Sequence, residues 1–177
     1  ASCDWPSSSS ASVHFLRGAA YEALGRVPEA EAELWAALQT APNDADMLNY
    51  LGYLWVDKGL RVQEGAEMIA RAHALEPDNG NIQDSLGWAQ FKQGQYETAV
   101  NTLEEAVDKE PSNAEINDHL GDAYWKTGRT LEANFQWSHA RDLKPEPEDL
   151  VKIKQKLAGG LPEETSVANG KKKPDGG

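Results

Sequence analysis

The chain predicts an all-α fold, a solenoid of stacked helix pairs, and three observations carry that expectation. Four stretches, "RGAAYEALGR", "LGYLWVDKGL", "LGWAQFKQGQ" and "LGDAYWKTGR", each hold two glycines seven residues apart: Gly18 and Gly25, Gly52 and Gly59, Gly87 and Gly94, Gly121 and Gly128. Each is followed by an alanine-rich amphipathic run that closes on a proline, at Pro42, Pro77, Pro111 and Pro145. The pattern recurs every 34 or 35 residues, and self-similarity at such a period marks a linear array of repeats.

The intervals locate one insertion. Successive first glycines are 34, 35 and 34 apart, whereas successive prolines are 35, 34 and 34 apart. The extra residue therefore falls in the second unit after its first glycine, and "KGLRVQEGAE" before Ala66 is the natural place. Within a unit the first glycine lets two helices approach closely, the second ends the first helix, and the proline opens the next connection. Ala30 and Ala37, Ala99 and Ala106, and Ala133 and Ala140 flank Leu34, Leu103 and Trp137. That is one helical stripe, small at its edges and bulky at its centre.

Taken in order, the units resemble the tetratricopeptide repeat (TPR), whose signature is W-x2-L-G-x2-Y, then A-x3-F-x2-A, then P. Unit one (11–44) has Gly18, Tyr21, Ala30, Leu34, Ala37 and Pro42, with His14 and Arg17 in place of two apolar residues. Unit two (45–79) has Leu51, Gly52, Trp55, Ile69, Ala72 and Pro77, with Gly65 where alanine is usual. Unit three (80–113) has Leu86, Gly87, Ala99, Leu103, Ala106 and Pro111, but Gln90 at the tyrosine position. Unit four (114–147) matches best, with Leu120, Gly121, Tyr124, Ala133, Trp137, Ala140 and Pro145. The resemblance implies a right-handed TPR superhelix over residues 11–147.

Beyond it, "EPEDLVKIKQKLAGG" reads as a capping helix over 148–158, with acids at its start, lysines towards its end and an apolar stripe through Leu150, Ile153 and Leu157. Residues 159–177 lack apolar periodicity and are expected to be a disordered tail. Residues 1–10 are expected to be a flexible segment. Its "ASC" admits two readings, the end of a bacterial lipoprotein signal with Cys3 acylated, or a plain linker or cut repeat. A mature lipoprotein would begin at the cysteine, whereas Ala1 and Ser2 precede it here. The repeat phrases also resemble the C-terminal repeats of multi-TPR bacterial envelope proteins. That likeness implies a piece of a longer chain in the periplasm or cell envelope, a cytoplasmic setting staying open.

A formal charge of −12 excludes a general polyanion-binding face and with it a nucleic-acid partner. One cysteine excludes an internal disulfide framework and a multi-thiolate zinc site. No apolar run reaches the length of about 18 residues needed to span a membrane as a helix.

The resemblance implies a protein-binding scaffold whose first helices line a concave groove. Carried across, the groove residues are Asn49 and Tyr53, then Asp84, Trp88, Phe91 and Lys92, then Asp118, Asp122, Trp125 and Lys126. Val56, Asp57 and Asn81 join them, with Phe15, Ala19 and Glu22 from unit one. Residues 84, 88 and 91 follow i, i+4, i+7, as do 118, 122 and 125, so each set shares a helix face. Aromatics beside fixed acids suit a partner peptide with basic and apolar anchors. Packing of those aromatics between repeats is the alternative.

Asp118, His119 and Asp122 also admit a catalytic or metal reading. Two neighbouring aspartates on an open groove would stay solvated and lack the separated pKa values of an acid and base pair. His14, His73 and His139 belong to other units or to second helices, away from a ligand set. No catalytic residue, metal or cofactor is therefore expected. A homo-oligomer formed by stacking repeats is the second functional reading.

Overall fold

The computed structural model describes residues 8–162; the expected segment over 1–7, the question of Cys3 and the tail from 163 lie outside the described residues. Nine α-helices are described, with no strand among them: α1 (Ser8–Ala23), α2 (Val27–Thr40), α3 (Ala45–Asp57), α4 (Val62–Leu75), α5 (Gly80–Lys92), α6 (Tyr96–Lys109), α7 (Ala114–Lys126), α8 (Thr130–Asp142) and α9 (Pro147–Gly159). Each repeat is one antiparallel pair, and the pairs stack in chain order. Helix α1 starts at Ser8, inside the stretch expected to be flexible through residue 10, because Ala11 already packs into the core.

Local chemistry sets each boundary. Asp44, Asn79 and Asn113, each two residues past a repeat proline, cap α3, α5 and α7 by accepting backbone N–H groups through their side chains. At the other end of α7, Gly128 adopts φ 80°, a left-handed conformation that costs glycine little, and Arg129 N–H donates 2.9 Å back to the Tyr124 carbonyl. The same turn recurs at the other three repeats. It contains the inserted residue: one residue separates the glycine from the second helix in units one, three and four, whereas Leu60 and Arg61 both do so in unit two.

Within pairs, the first glycine of each unit receives the bulky residue of the second helix. A Cβ on Gly121 would stand 2.4 Å from the Trp137 ring. In unit two both facing residues are glycine, and a Cβ on Gly65 would fall 2.6 Å from the Gly52 carbonyl, so these backbones touch directly. That contact explains why Gly65 stands where alanine is usual. Leu34, Ile69, Leu103 and Trp137 form the spine of the core, each fully buried. In unit one, His14 and Arg17 make a polar clasp in place of the usual apolar contact, reaching Glu33 at 2.6 and 2.7 Å. Helix α9 closes the array on α8 and α7, burying Ile153.

Candidate peptide-binding groove

An open cavity of about 260 Å³ lies between α1, α3, α5 and α7, and it is rich in oxygen acceptors. Asn49 and Tyr53 line it, together with Glu22, Asp57 and Asn81. Tyr53 donates its hydroxyl to Glu115 Oε1 at 2.8 Å. Burial, reinforced by the Glu115 carboxylate, pushes the Tyr53 hydroxyl far above its ordinary pKa. Tyr50, on the same helix α3, also lines it, and burial together with the Glu22 carboxylate raises its hydroxyl pKa.

Asp84 also borders the cavity, but its carboxylate is engaged. Nδ1 of His119 lies 3.0 Å from both its oxygens, and both side chains are buried. Burial opposes charge on the imidazole, yet Asp84, with Glu115 and Asp118 further off, outweighs it and raises the His119 pKa to about 9. His119 is therefore an imidazolium at neutral pH.

Apart from Tyr53, the aromatics expected on the groove are packing groups. Trp88 is 9% exposed and sits in a stack, its ring centroid 4.2 Å from His119 and 4.8 Å from Phe91. Phe91 in turn meets Tyr96 of α6 edge-on at 5.2 Å. Val56 is fully buried, and Phe15 packs edge-on against Tyr50. Lys92 lies over the Trp88 ring and donates to the Asp57 carbonyl at 3.3 Å; Lys126 lies over the Tyr96 ring.

At unit four the expected groove surface is covered by α9. Lys156 Nζ reaches Asp118 at 2.7 Å and Asp122 at 2.8 Å. Asp122 also accepts from Trp137 Nε1 at 2.9 Å. Burial and the Asp118 charge raise the Asp122 pKa against the opposing pull of Lys156. Trp125 tilts against Trp137 at 5.5 Å, with Gly160 laid on its ring, and Leu157 and Leu161 pack beside it. Asp118, Asp122 and Trp125 thus form the seat of the chain's own terminal helix. The ten expected groove residues divide accordingly: Asn49, Tyr53 and Asp84 border one cavity, whereas Trp88, Phe91, Lys92, Asp118, Asp122, Trp125 and Lys126 are held in contacts between elements.

The sequence expectation omitted Tyr50, Ser85 and Glu115 from this wall. Glu115 was within reach of it, because it stands one repeat after Asn81, a position already assigned to the groove. His119, Asp118 and Asp122 are committed to Asp84, Lys156 and Trp137, which accounts for them structurally. Among the described residues no three His, Cys, Asp or Glu side chains converge as a metal site would require.

Comparison with known proteins agrees with this architecture. A family model described as "TPR repeat" matches residues 87–128, and one described as "Tetratricopeptide repeat" matches residues 11–54. A TPR repeat-containing protein of Pseudomonas aeruginosa is 33% identical over 95 residues, covering 54% of this chain but only 16% of its own length. Among solved structures, MamA from Desulfovibrio magneticus RS-1 superposes with a TM-score of 0.65 at 24% identity, over 84% of this chain and 81% of that one. YrrB, described as "a TPR protein with an unusual peptide-binding site", gives 0.62 at 19% identity over 84% and 76%.

Proposed function

The chain belongs to the tetratricopeptide-repeat family, whose general role is protein binding, and from that premise we propose that it is a non-catalytic scaffold capturing a segment of a partner protein on its concave face. The observation that carries this reading is the open, acid-lined cavity between α1, α3, α5 and α7. Tyrosine and asparagine side chains line it beside carboxylates, a mixture of contact area and directional acceptors suited to an extended peptide. The peptide-binding site attributed to YrrB supports the same use of the fold. An affinity in the micromolar range, about −8 kcal/mol, is the expectation for a modular contact of this size.

The test is binding of a partner segment to the wild-type chain and to Tyr53→Ala and Glu115→Lys, with folding checked by circular dichroism. Both substitutions should weaken binding while the fold persists. Unchanged binding by both variants would remove the groove from the account. The proposed setting is the bacterial periplasm or cell envelope, on the likeness of the repeat phrases to those of envelope proteins. Cell fractionation tests it, and recovery with the cytoplasm would overturn it.

A second reading, self-assembly, is favoured by a different feature. Leu131 and Phe135, one turn apart on α8, are 83% and 70% exposed, as large apolar groups rarely are without cover. Light scattering across a concentration series decides it: a strict monomer contradicts self-assembly, and dissociation by Phe135→Ser supports it.

A further inference from the structure

The array builds the same junction repeatedly and leaves one copy open. Phe15, Asn49, Asp84 and Asp118 occupy equivalent places on α1, α3, α5 and α7, spaced 34 or 35 residues apart. Three of them are met by a side chain from the next element. Phe15 meets Tyr50, ring to ring at 5.2 Å. Asp84 meets His119 at 3.0 Å, and Asp118 meets Lys156 of α9 at 2.7 Å. Asn49 differs. Ser85, the equivalent of Tyr50 and His119, is short and donates its hydroxyl to the Asn81 carbonyl of its own helix at 3.1 Å. Asn49 Oδ1 is left buried with no hydrogen-bond partner, a costly state for an acceptor. The cavity of about 260 Å³ is bordered by both Asn49 and Ser85.

Wherever this place carries an acid, the fold supplies a cation. We propose that the cavity between Asn49 and Ser85 takes the ammonium or guanidinium group of a basic side chain of the bound peptide, supplying from outside what His119 and Lys156 supply from within. This rests on the groove reading above and names the anchor it selects. The surroundings suit that occupant. Glu22, Asp57 and Glu115 present carboxylates to the cavity, and the rings of Tyr50 and Tyr53 offer faces that attract a cation. Lys58 borders it too, half-exposed and 3.3 Å from Asp57, so carboxylates outnumber it. The same carboxylates disfavour an acidic anchor.

The experiment uses the full chain and a library of acetylated, amidated nonapeptides whose central residue is Arg, Lys, norleucine or Glu between randomised flanks. Selected peptides are then ranked by fluorescence polarisation. Peptides with Arg or Lys should bind at least tenfold tighter than their norleucine counterparts. Ser85→His, which repeats the side chain of the next junction and fills the space beside Asn49, should abolish that preference. Glu115→Gln, an exposed change of equal size that keeps an acceptor for the Tyr53 hydroxyl, should reduce it several-fold while circular dichroism shows the fold intact, which keeps the test valid if Ser85→His fails to fold. Binding that is blocked by Tyr53→Ala yet indifferent to the central residue overturns the cation assignment and leaves the groove reading standing. So does a preference that survives in folded Ser85→His. If acetylated argininamide alone binds as tightly as the peptides, the cavity takes small cations and its assignment to a peptide side chain is overturned. Absence of any groove-dependent peptide binding overturns both readings.

Discussion

Deprotonating His119 should loosen the array in a defined pH window. The folded protein holds this imidazole at a pKa of about 9 against an ordinary value of 6.5, with Asp84 3.0 Å away and Glu115 and Asp118 adding to the pull. The folded state thus binds the proton more tightly than the unfolded chain does. Its stabilisation is fully present below about pH 6.5 and is lost as the pH rises through about 9. At 1.36 kcal/mol per pKa unit, the gap corresponds to about 3 kcal/mol. For a chain of this size that is a drop in melting temperature of roughly 6–12 °C. The assay is thermal unfolding by far-UV circular dichroism at about pH 6 and about pH 9.5, on the wild type and on the double variant His119→Gln, Asp84→Asn. Other groups titrate in both proteins, so the informative quantity is the difference between them. The wild type should lose its advantage over the double variant between the two pH values. Parallel losses in the two proteins would refute the charged pair and the packing role assigned to His119.

Trp88→Ala should cost about 3–5 kcal/mol of folding stability in a urea titration, since it empties the stack between His119 and Phe91; an unchanged midpoint would contradict its burial. Lys156→Met should cost about 3–5 kcal/mol, because it leaves Asp118 and Asp122 without their cation, and hydrogen exchange along α9 should speed up. Unaltered exchange there would mean that α9 is held by its apolar face alone. Gly121→Ala should cost about 1–3 kcal/mol in the same titration, because the added methyl meets the Trp137 ring; a neutral result would contradict the close approach of α7 and α8.

The helix pairs were legible because their determinants are local and repeated. A glycine that must adopt positive φ, a glycine that must receive Leu34, Leu103 or Trp137, and a proline followed two residues later by a capping Asp44, Asn79 or Asn113 write the same unit at a fixed period. Even the slip in unit two, after its first glycine, follows from two spacings, and the structure narrows it to the turn at Leu60 and Arg61. The groove was only partly legible. Helical periodicity puts Asp84, Trp88 and Phe91 on one face, but it does not say whether that face meets solvent or the next repeat. His119, 35 residues downstream, decides this for Asp84 and Trp88 by filling the space between α5 and α7. Likewise nothing within unit four announces that Lys156 will settle on Asp118 and Asp122, because that contact depends on where α9 turns back. The open junction at Asn49 became visible only when equivalent residues could be compared in space. Ser85 is unremarkable in the sequence, and its meaning comes from the larger Tyr50 and His119 at the matching places.

The central claim, capture of a partner segment on the concave face, is tested most directly by photo-crosslinking in the native cell. Benzoylphenylalanine would replace Asn81, which borders the cavity, and separately Phe135, on the exposed face of α8. The crosslinked peptides would be sequenced by mass spectrometry. The account predicts that position 81 captures one recurring segment of another protein, with a basic residue at or near the attachment point, and that position 135 does not. Capture of that segment at position 135 alone, or capture at position 81 of nothing but further copies of this chain, would contradict it.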